Sequence, residues 1–370
     1  MSPRRAFLLG ILLTSSLLLT THKLIADSAH SEGEKVFYQD QIASPPGVNT
    51  QVWSEPATVI APGNGKILHG LFLPQPVVIS LPNLPDHGWV KLRFKLYIIG
   101  SWDGSSRVWG PDLWSLQVRG GQRLFFTTFG NLGNFFNNNV QSFPDEYPWG
   151  RNPDWTGAEI KDVLNFPRNG GYSMRAELLN DSVYPMEAIF PHSSNSLVLD
   201  FSAIYDDPPQ EHQTWGISDL EVTTMKTPPF VEDSAFPKLW EDLASRDPMN
   251  ANAAMWRLVS AGDRAVTFIS EKVKAMYPSP KPMLNQSTPQ SITLRAMVKH
   301  IVSLYFGQAK PLSISSPGVI TAPFSGLEAL RLHRAHRVLK IINGNDLGAG
   351  FKIDHLVPEY FQDLKPEPQP

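Results

Sequence analysis

The chain of 370 residues contains no cysteine. Disulfides, thiolate metal sites and cysteine nucleophiles are therefore excluded, and stability has to come from packing or from bound ions. Charge is sparse as well, with Asp, Glu, Lys and Arg at 18% of residues, below the usual quarter. No stretch concentrates positive charge as a nucleic-acid surface would, so nucleic acid is set aside as a partner. A Gly-x-Ser-x-Gly elbow, a His-Glu-x-x-His helix and a Gly-rich phosphate loop are all missing, which removes the common signatures of acyl transfer, zinc hydrolysis and nucleotide binding.

Long apolar runs are missing too, with one exception at the start. Arg4 and Arg5 precede an apolar run from Ala6 to Leu19, the n-region and h-region of a secretory signal, shorter than the roughly 20 residues that cross a bilayer comfortably. Ala26 offers a cleavage position but Leu24 stands where a small residue is preferred. Residues 1–26 are thus expected to be a signal peptide or an uncleaved N-terminal anchor, and the protein to be exported: secreted, periplasmic or cell-surface. Only that segment would touch a membrane.

What the chain does have is proline, phenylalanine and tryptophan, at 33, 20 and 10 residues. Charge also divides along it. Residues 35–225 hold 12 Lys+Arg against 19 Asp+Glu, and residues 226–370 hold 17 against 13. The acidic part reads as strands. Trp89 to Ile99 alternates, with Val90, Leu92, Phe94, Leu96 and Ile98 on one face and Lys91, Arg93, Lys95 and Tyr97 on the other, the pattern of a half-buried antiparallel strand. Pro76–Leu81, Leu113–Val118, Arg123–Phe129, Val183–Phe190, Ser196–Ser202 and Trp215–Thr223 read as further strands, with Gly120-Gly121 as a hairpin turn. Many short strands without interleaved helices predict an antiparallel β-sandwich of jelly-roll type over 35–225.

After a Pro-rich linker at 226–236 the period changes. Asp247-Pro248 has the form of an N-cap followed by proline at the first helical position. Ala251, Ala254, Met255, Leu258 and Val259 then form a stripe closed by Gly262. Further helices are expected at Asp263–Met276, Gln290–Phe306 and Leu327–Ile342, giving a smaller all-α, helical-repeat-like domain over 237–345, with a C-terminal tail at 346–370.

Trp102-Asp-Gly104, Gly110-Pro-Asp-Leu-Trp114, Asp181-Ser-Val-Tyr184, Phe190-Pro-His192, Leu199-Asp-Phe-Ser202 and Trp215-Gly-Ile-Ser-Asp-Leu220 together resemble a jelly-roll-like β-sandwich module of secreted and surface proteins from environmental bacteria. That resemblance implies an extracellular, non-catalytic module. Leu239 to Leu258, Ala265-Val-Thr-Phe-Ile269 and Leu330 to Ile342 resemble degenerate HEAT-like helix pairs.

Three candidate sites follow. Asp103 and Asp112 flank one glycine-containing loop, and two carboxylates with loop carbonyls could supply much of a calcium shell, with Asp200 or Asp219 completing it. The competing reading is that both make Asx-turn bonds to the backbone. Trp109, Trp149 and Trp155 are candidate platforms for sugar rings, with Asn137, Asn138, Asn139 and Asn152 as hydrogen-bond partners; packing is the alternative, and Trp114 and Trp215 are assigned to the core. His333 and His336, among Arg331, Arg334, Arg337 and Lys340, form a basic helix surface, either solvated or facing an acidic protein partner or phosphate-rich envelope. His69, His87, His192 and His212 sit on different connections without metal-ligand spacing. Asp145-Glu146 as a glycosidase pair is disfavoured because neighbouring side chains on an extended strand point oppositely. The expected role is an exported binding protein for a glycan or envelope surface, possible calcium being structural. An envelope assembly scaffold and a polysaccharide-active enzyme are the alternatives.

Overall fold

Strand Trp89–Gly100 buries the side chains at Val90, Leu92, Phe94, Leu96 and Ile98, as its alternation requires. The computed structural model describes residues 34–40, 52–106, 110–131, 140–166, 181–205, 213–276 and 326–343. All of them belong to the compact unit Gly33–Pro370; the other unit, Met1–Glu32, lies outside the described residues. The fold is mostly antiparallel β-sheet with four α-helices among the described residues.

In chain order the strands are β1 (Lys35–Gln39), β2 (Thr58–Ile60), β3 (Ile67–Phe72), β4 (Val77–Pro82), β5 (Trp89–Gly100), β6 (Leu113–Val118), β7 (Arg123–Thr128), β8 (Val140–Gln141), β9 (Asn152–Pro153), β10 (Ile160–Lys161), β11 (Asp181–Pro191), β12 (Ser196–Ile204) and β13 (Gln213–Met225). The larger sheet runs β10-β11-β5-β13-β3-β2, with β1 also on β13; the smaller runs β4-β12-β6-β7. Side chains from the two sheets meet: Phe94 of the larger packs against Phe201 and Trp114 of the smaller, at centroid distances of 5.8 and 6.1 Å. Trp114 also meets Trp215 edge-on at 6.2 Å, and both are fully buried, as expected for core tryptophans.

One edge of β13 is shared by two strands. β3 pairs with its first half, at Trp215 and Ile217, and β1 with its second, from Glu221 to Thr224. Asp40, just past β1, and His69, on β3, meet at 2.7 Å where the two strands divide that edge. Trp53 stacks on His69 at 4.1 Å and donates its indole N–H to the Tyr38 hydroxyl. Burial, and then the Asp40 charge, pushes the Tyr38 phenol up to about 12.

Tyr97 departs from the expected pattern. It lies on the outer face of β5 yet is buried, because Ala61, Leu164 and Val183 form a second apolar cluster with it there. The covering residues come from just after β2 (Ala61), just after β10 (Leu164) and from β11 (Val183), which the period of β5 alone does not reveal.

The helices are α1 (Phe236–Asp242), α2 (Pro248–Ser260), α3 (Asp263–Met276) and α4 (Gly326–Asn343), the first preceded by a 3₁₀ turn at Asp233–Ala235. Asp247 caps α2, its carboxylate accepting from the Met249 and Asn250 amides, and Pro248 opens the helix. Gly262 takes a positive φ of 55° at the corner into α3, where a side chain would be strained. α2 and α4 both pack on β11, and one hydrophobic cluster runs from the sheets into the helices. The expected helix at Gln290–Phe306 lies outside the described residues.

Candidate functional site

The two aspartates of the Ser101–Asp112 loop are brought together. Asp112 is fully buried, and its Oδ2 accepts from the Asp103 backbone N–H at 2.5 Å and from Gln213 Nε2 at 3.3 Å. These bonds tie the loop to the start of β13. Asp200 is not part of this group: it sits on β12 and takes Arg119 through two guanidinium nitrogens. Asp219 accepts from Ser218. Among the described residues no group of three or more His, Asp or Glu side chains is gathered as metal ligands would be. Trp109 of the same loop lies outside the described residues, as do Asn137, Asn138 and Asn139.

The aromatic segment after β7 is held by its own polar side chains. Gln141 accepts from the Gly130 and Trp155 amides and from the Tyr184 hydroxyl, while donating to the carbonyls of Phe143 and Thr156. Asn152 donates to the carbonyls of Ser142 and Phe143. Asn152 therefore adds a second donor to each of these carbonyls, the Asp145 amide already reaching that of Ser142 and Gln141 that of Phe143, and so braces the segment. Trp155 is half-buried with the Lys161 ammonium 4.7 Å from its ring centre. Trp149 is half-buried and has His333 stacked on it at 4.4 Å.

That stack belongs to a junction in which α4 grips the segment. Arg334 forms a two-pronged pair with Asp145, Nε to Oδ1 at 2.6 Å and one terminal nitrogen to Oδ2 at 2.9 Å, and its other terminal nitrogen donates to the Leu243 carbonyl. Arg337 donates to the carbonyls of Pro144 and Leu124. The two arginines are only 4% and 3% exposed. Arg331 bridges Glu241 and Glu328. The basic helix face expected from sequence thus does meet acid, and that acid is in the same chain.

Asp145 and Glu146 are accordingly engaged: Asp145 by Arg334, and Glu146 flanked by Arg123 at 3.8 Å and His333 at 3.7 Å. His333 is held well below the usual imidazole range, first by burial and then by His336, with Asp145 acting in the opposite sense. Beside this junction opens a cavity of ≈ 230 Å³ lined by Gln117, Gln122, Arg123, Glu146, Arg337 and Lys340, with Ile341 as an apolar wall. Sequence reasoning treated the Arg/His run and Asp145-Glu146 separately; their opposite charges were the signal that could have joined them.

A second pairing also escaped it. His87 and His192, from connections over a hundred residues apart, stack at 5.1 Å with His87 Nε2 and His192 Nδ1 at 2.8 Å. His87 Nδ1 lies 2.5 Å from the Pro85 carbonyl, which can only accept, so Nδ1 carries a proton. With His87 neutral, its Nε2 accepts and His192 Nδ1 donates. Burial, and then His87, pulls His192 below the usual imidazole value.

No protein-family model and no curated protein matches this chain. Among solved structures, 41% of the chain is similar to 10% of a chain in the crystal structure of dimeric latent PorU from Porphyromonas gingivalis, at 14% identity and a TM-score of 0.21. A likeness of that size carries no argument about fold or activity.

Proposed function

We propose that this chain is an exported, non-catalytic binding protein: a jelly-roll-like antiparallel β-sandwich recognising a glycan or envelope surface, followed by a HEAT-like helical region. The observation that carries this reading is the cavity at the helix–sheet junction. Its lining of guanidinium, ammonium and amide groups suits ligand capture. The carboxylates nearest it, Asp145 and Glu146, face cations rather than each other across a cleft, which favours binding over glycoside hydrolysis. Export is supported by Arg4-Arg5 and the apolar run behind them.

The test is a polysaccharide panel incubated with the purified full chain, read by calorimetry for binding and by product analysis for cleavage. Binding without cleavage is expected, and release of shorter oligosaccharides would overturn the non-catalytic reading. Structural calcium remains part of the proposal through Asp103, Asp112 and loop carbonyls, with Asp112 Oδ2 also taking two N–H donors. Thermal unfolding with calcium and with chelator decides it: identical midpoints discard the ion.

The scaffold alternative has one observation of its own. The Arg334–Asp145 pair and the shared core lock strands and helices together, a construction suited to transmitting contacts between partners.

A further inference from the structure

Two connections cross between the sheets at one end. The first leads from β4 of the smaller sheet to β5 of the larger, and the second from β11 of the larger back to β12 of the smaller. Strand register puts them side by side, with Pro191 opposite Trp89 and Ser196 opposite Pro82. Backbone bonds tie them, the His192 amide donating to the Gly88 carbonyl at 3.0 Å and the Leu84 amide to the Asn195 carbonyl at 2.9 Å. Leu84, Phe190 and Leu197, on and beside these connections, are buried in the main core.

His87 and His192 are the side-chain fastening between the two. His87 is 5% exposed and His192 half-buried. With ring planes only 17° apart, His87 Nε2 and His192 Nδ1 face each other at 2.8 Å, while His87 Nδ1 keeps its proton on the Pro85 carbonyl. A gap of that length holds one hydrogen. The closed pair therefore carries at most three of the four ring hydrogens that two separate imidazolium ions carry. Separating the rings opens the fourth position, so the opening takes up a proton.

The surroundings do not supply that proton step. Asp86 and Lys226 are the charged groups beside His87, and they pair with each other. Lys226 first, with His87 in the same sense, holds the Asp86 carboxyl below its usual range, so it stays charged through mild acid. Around His192 stand the Phe190 ring, edge-on at 6.4 Å, and the Gln122 amide, which donates to the Pro191 carbonyl. Neither titrates. Burial, and then His87, keep His192 below its ordinary value, with the Ser196 backbone opposing.

We propose that His87 and His192 form an acid-released latch, which holds the two crossing connections together while one hydrogen lies between the rings and lets this end of the sheets open when both rings are charged. Below about pH 6 the opening equilibrium should rise about tenfold or more for each pH unit, since at least one proton is taken up. Leu84, Phe190 and Leu197 then lose their cover. The fold thus offers an apolar surface that is uncovered in acid.

The experiment is hydrogen exchange of the full chain from about pH 7.5 to about pH 5, corrected for the intrinsic rate at each pH and read by mass spectrometry on peptides covering the two connections. Between about pH 6 and about pH 5, opening there should become about tenfold or more frequent, while Leu113–Val118 of β6 keeps its protection. His192→Gln retains an N–H donor and His87→Gln an acceptor, and neither glutamine can be charged. Each variant should hold the connections closed and remove the pH dependence, and Asp86→Asn should leave it intact. Imidazole ¹⁵N shifts of the unsubstituted chain at about pH 7.5 give a reading independent of any variant, with both rings expected to carry hydrogen at Nδ1.

Protection of the connections that is unmoved by pH overturns the latch, as does an equal pH dependence in both glutamine variants. Loss of protection in β6 in step with the connections makes the event global unfolding and overturns it as well. A His87 ring found with its hydrogen at Nε2 removes the geometry on which the latch stands.

Discussion

Arg334 delivers a planar fork into a site from which water is excluded and meets Asp145 through two parallel hydrogen bonds. Neither charge can be removed alone without leaving the other buried and uncompensated. Arg334→Met should therefore cost about 3–5 kcal/mol in denaturant unfolding, whereas Arg334→Met with Asp145→Leu should recover much of the loss. A double variant no more stable than the single one would show that Arg334 acts chiefly through the Leu243 carbonyl. Asp112 is the second residue on which much rests. Asp112→Ala should destabilise by about 1–3 kcal/mol by leaving the Asp103 amide and the Gln213 side chain short of an acceptor. Read from thermal midpoints, a loss equal with calcium and with chelator would confine the role of Asp112 to these two hydrogen bonds. Asp145 itself was visible in the sequence only as half of an acidic pair, because no local period relates it to an arginine nearly two hundred residues away.

Individual elements were more legible than their partners. α2 was readable from Asp247, Pro248 and the apolar stripe because a cap and a 3.6-residue period are local properties. Asp247→Ala should accordingly cost about 1 kcal/mol in equilibrium unfolding, and an unchanged midpoint would mean that α2 is held by packing alone. Leu113–Val118 was bounded as observed, and most other long strands within two residues, since alternation survives wherever one face is buried. β1, β2 and β3 were missed. Their burial patterns are broken, with His69 and Gly70 buried side by side in β3 where alternation would expose one of them. Tyr97 shows the same limit from the other side: its burial comes from a distant covering segment. The expected sugar platforms lost clarity for this reason as well, Trp149 having met a histidine supplied by α4.

For the whole molecule, acid should be a weakness. His192 and His333 both have imidazoles held below the ordinary value of 6.5 by burial in the folded chain. Between that value and their folded ones, the unfolded chain binds more protons, so stability rises with pH there and falls as pH drops. The contribution is complete above about pH 6.5 and declines through the acid range, by about 1.4 kcal/mol for each unit by which a group is depressed. Denaturant midpoints at successive pH values should trace this fall, and His333→Gln should flatten it. An equally steep fall in that variant would assign the effect to other groups. Strands, helices and both histidines belong to one compact unit, so the loss should register as one cooperative transition.

The place of β13 in the larger sheet also dictates when that sheet can exist. It lies between β5 on one side and β3 with β1 on the other, yet among the described residues it is the last strand to leave the ribosome. Until residue 225 has emerged, β5 and β3 present backbone edges to solvent with nothing to join them. A nascent chain halted at residue 212 carries two half-sheets with open edges, the kind of surface that recruits other strands. The larger sheet therefore cannot close before residue 225 has been made.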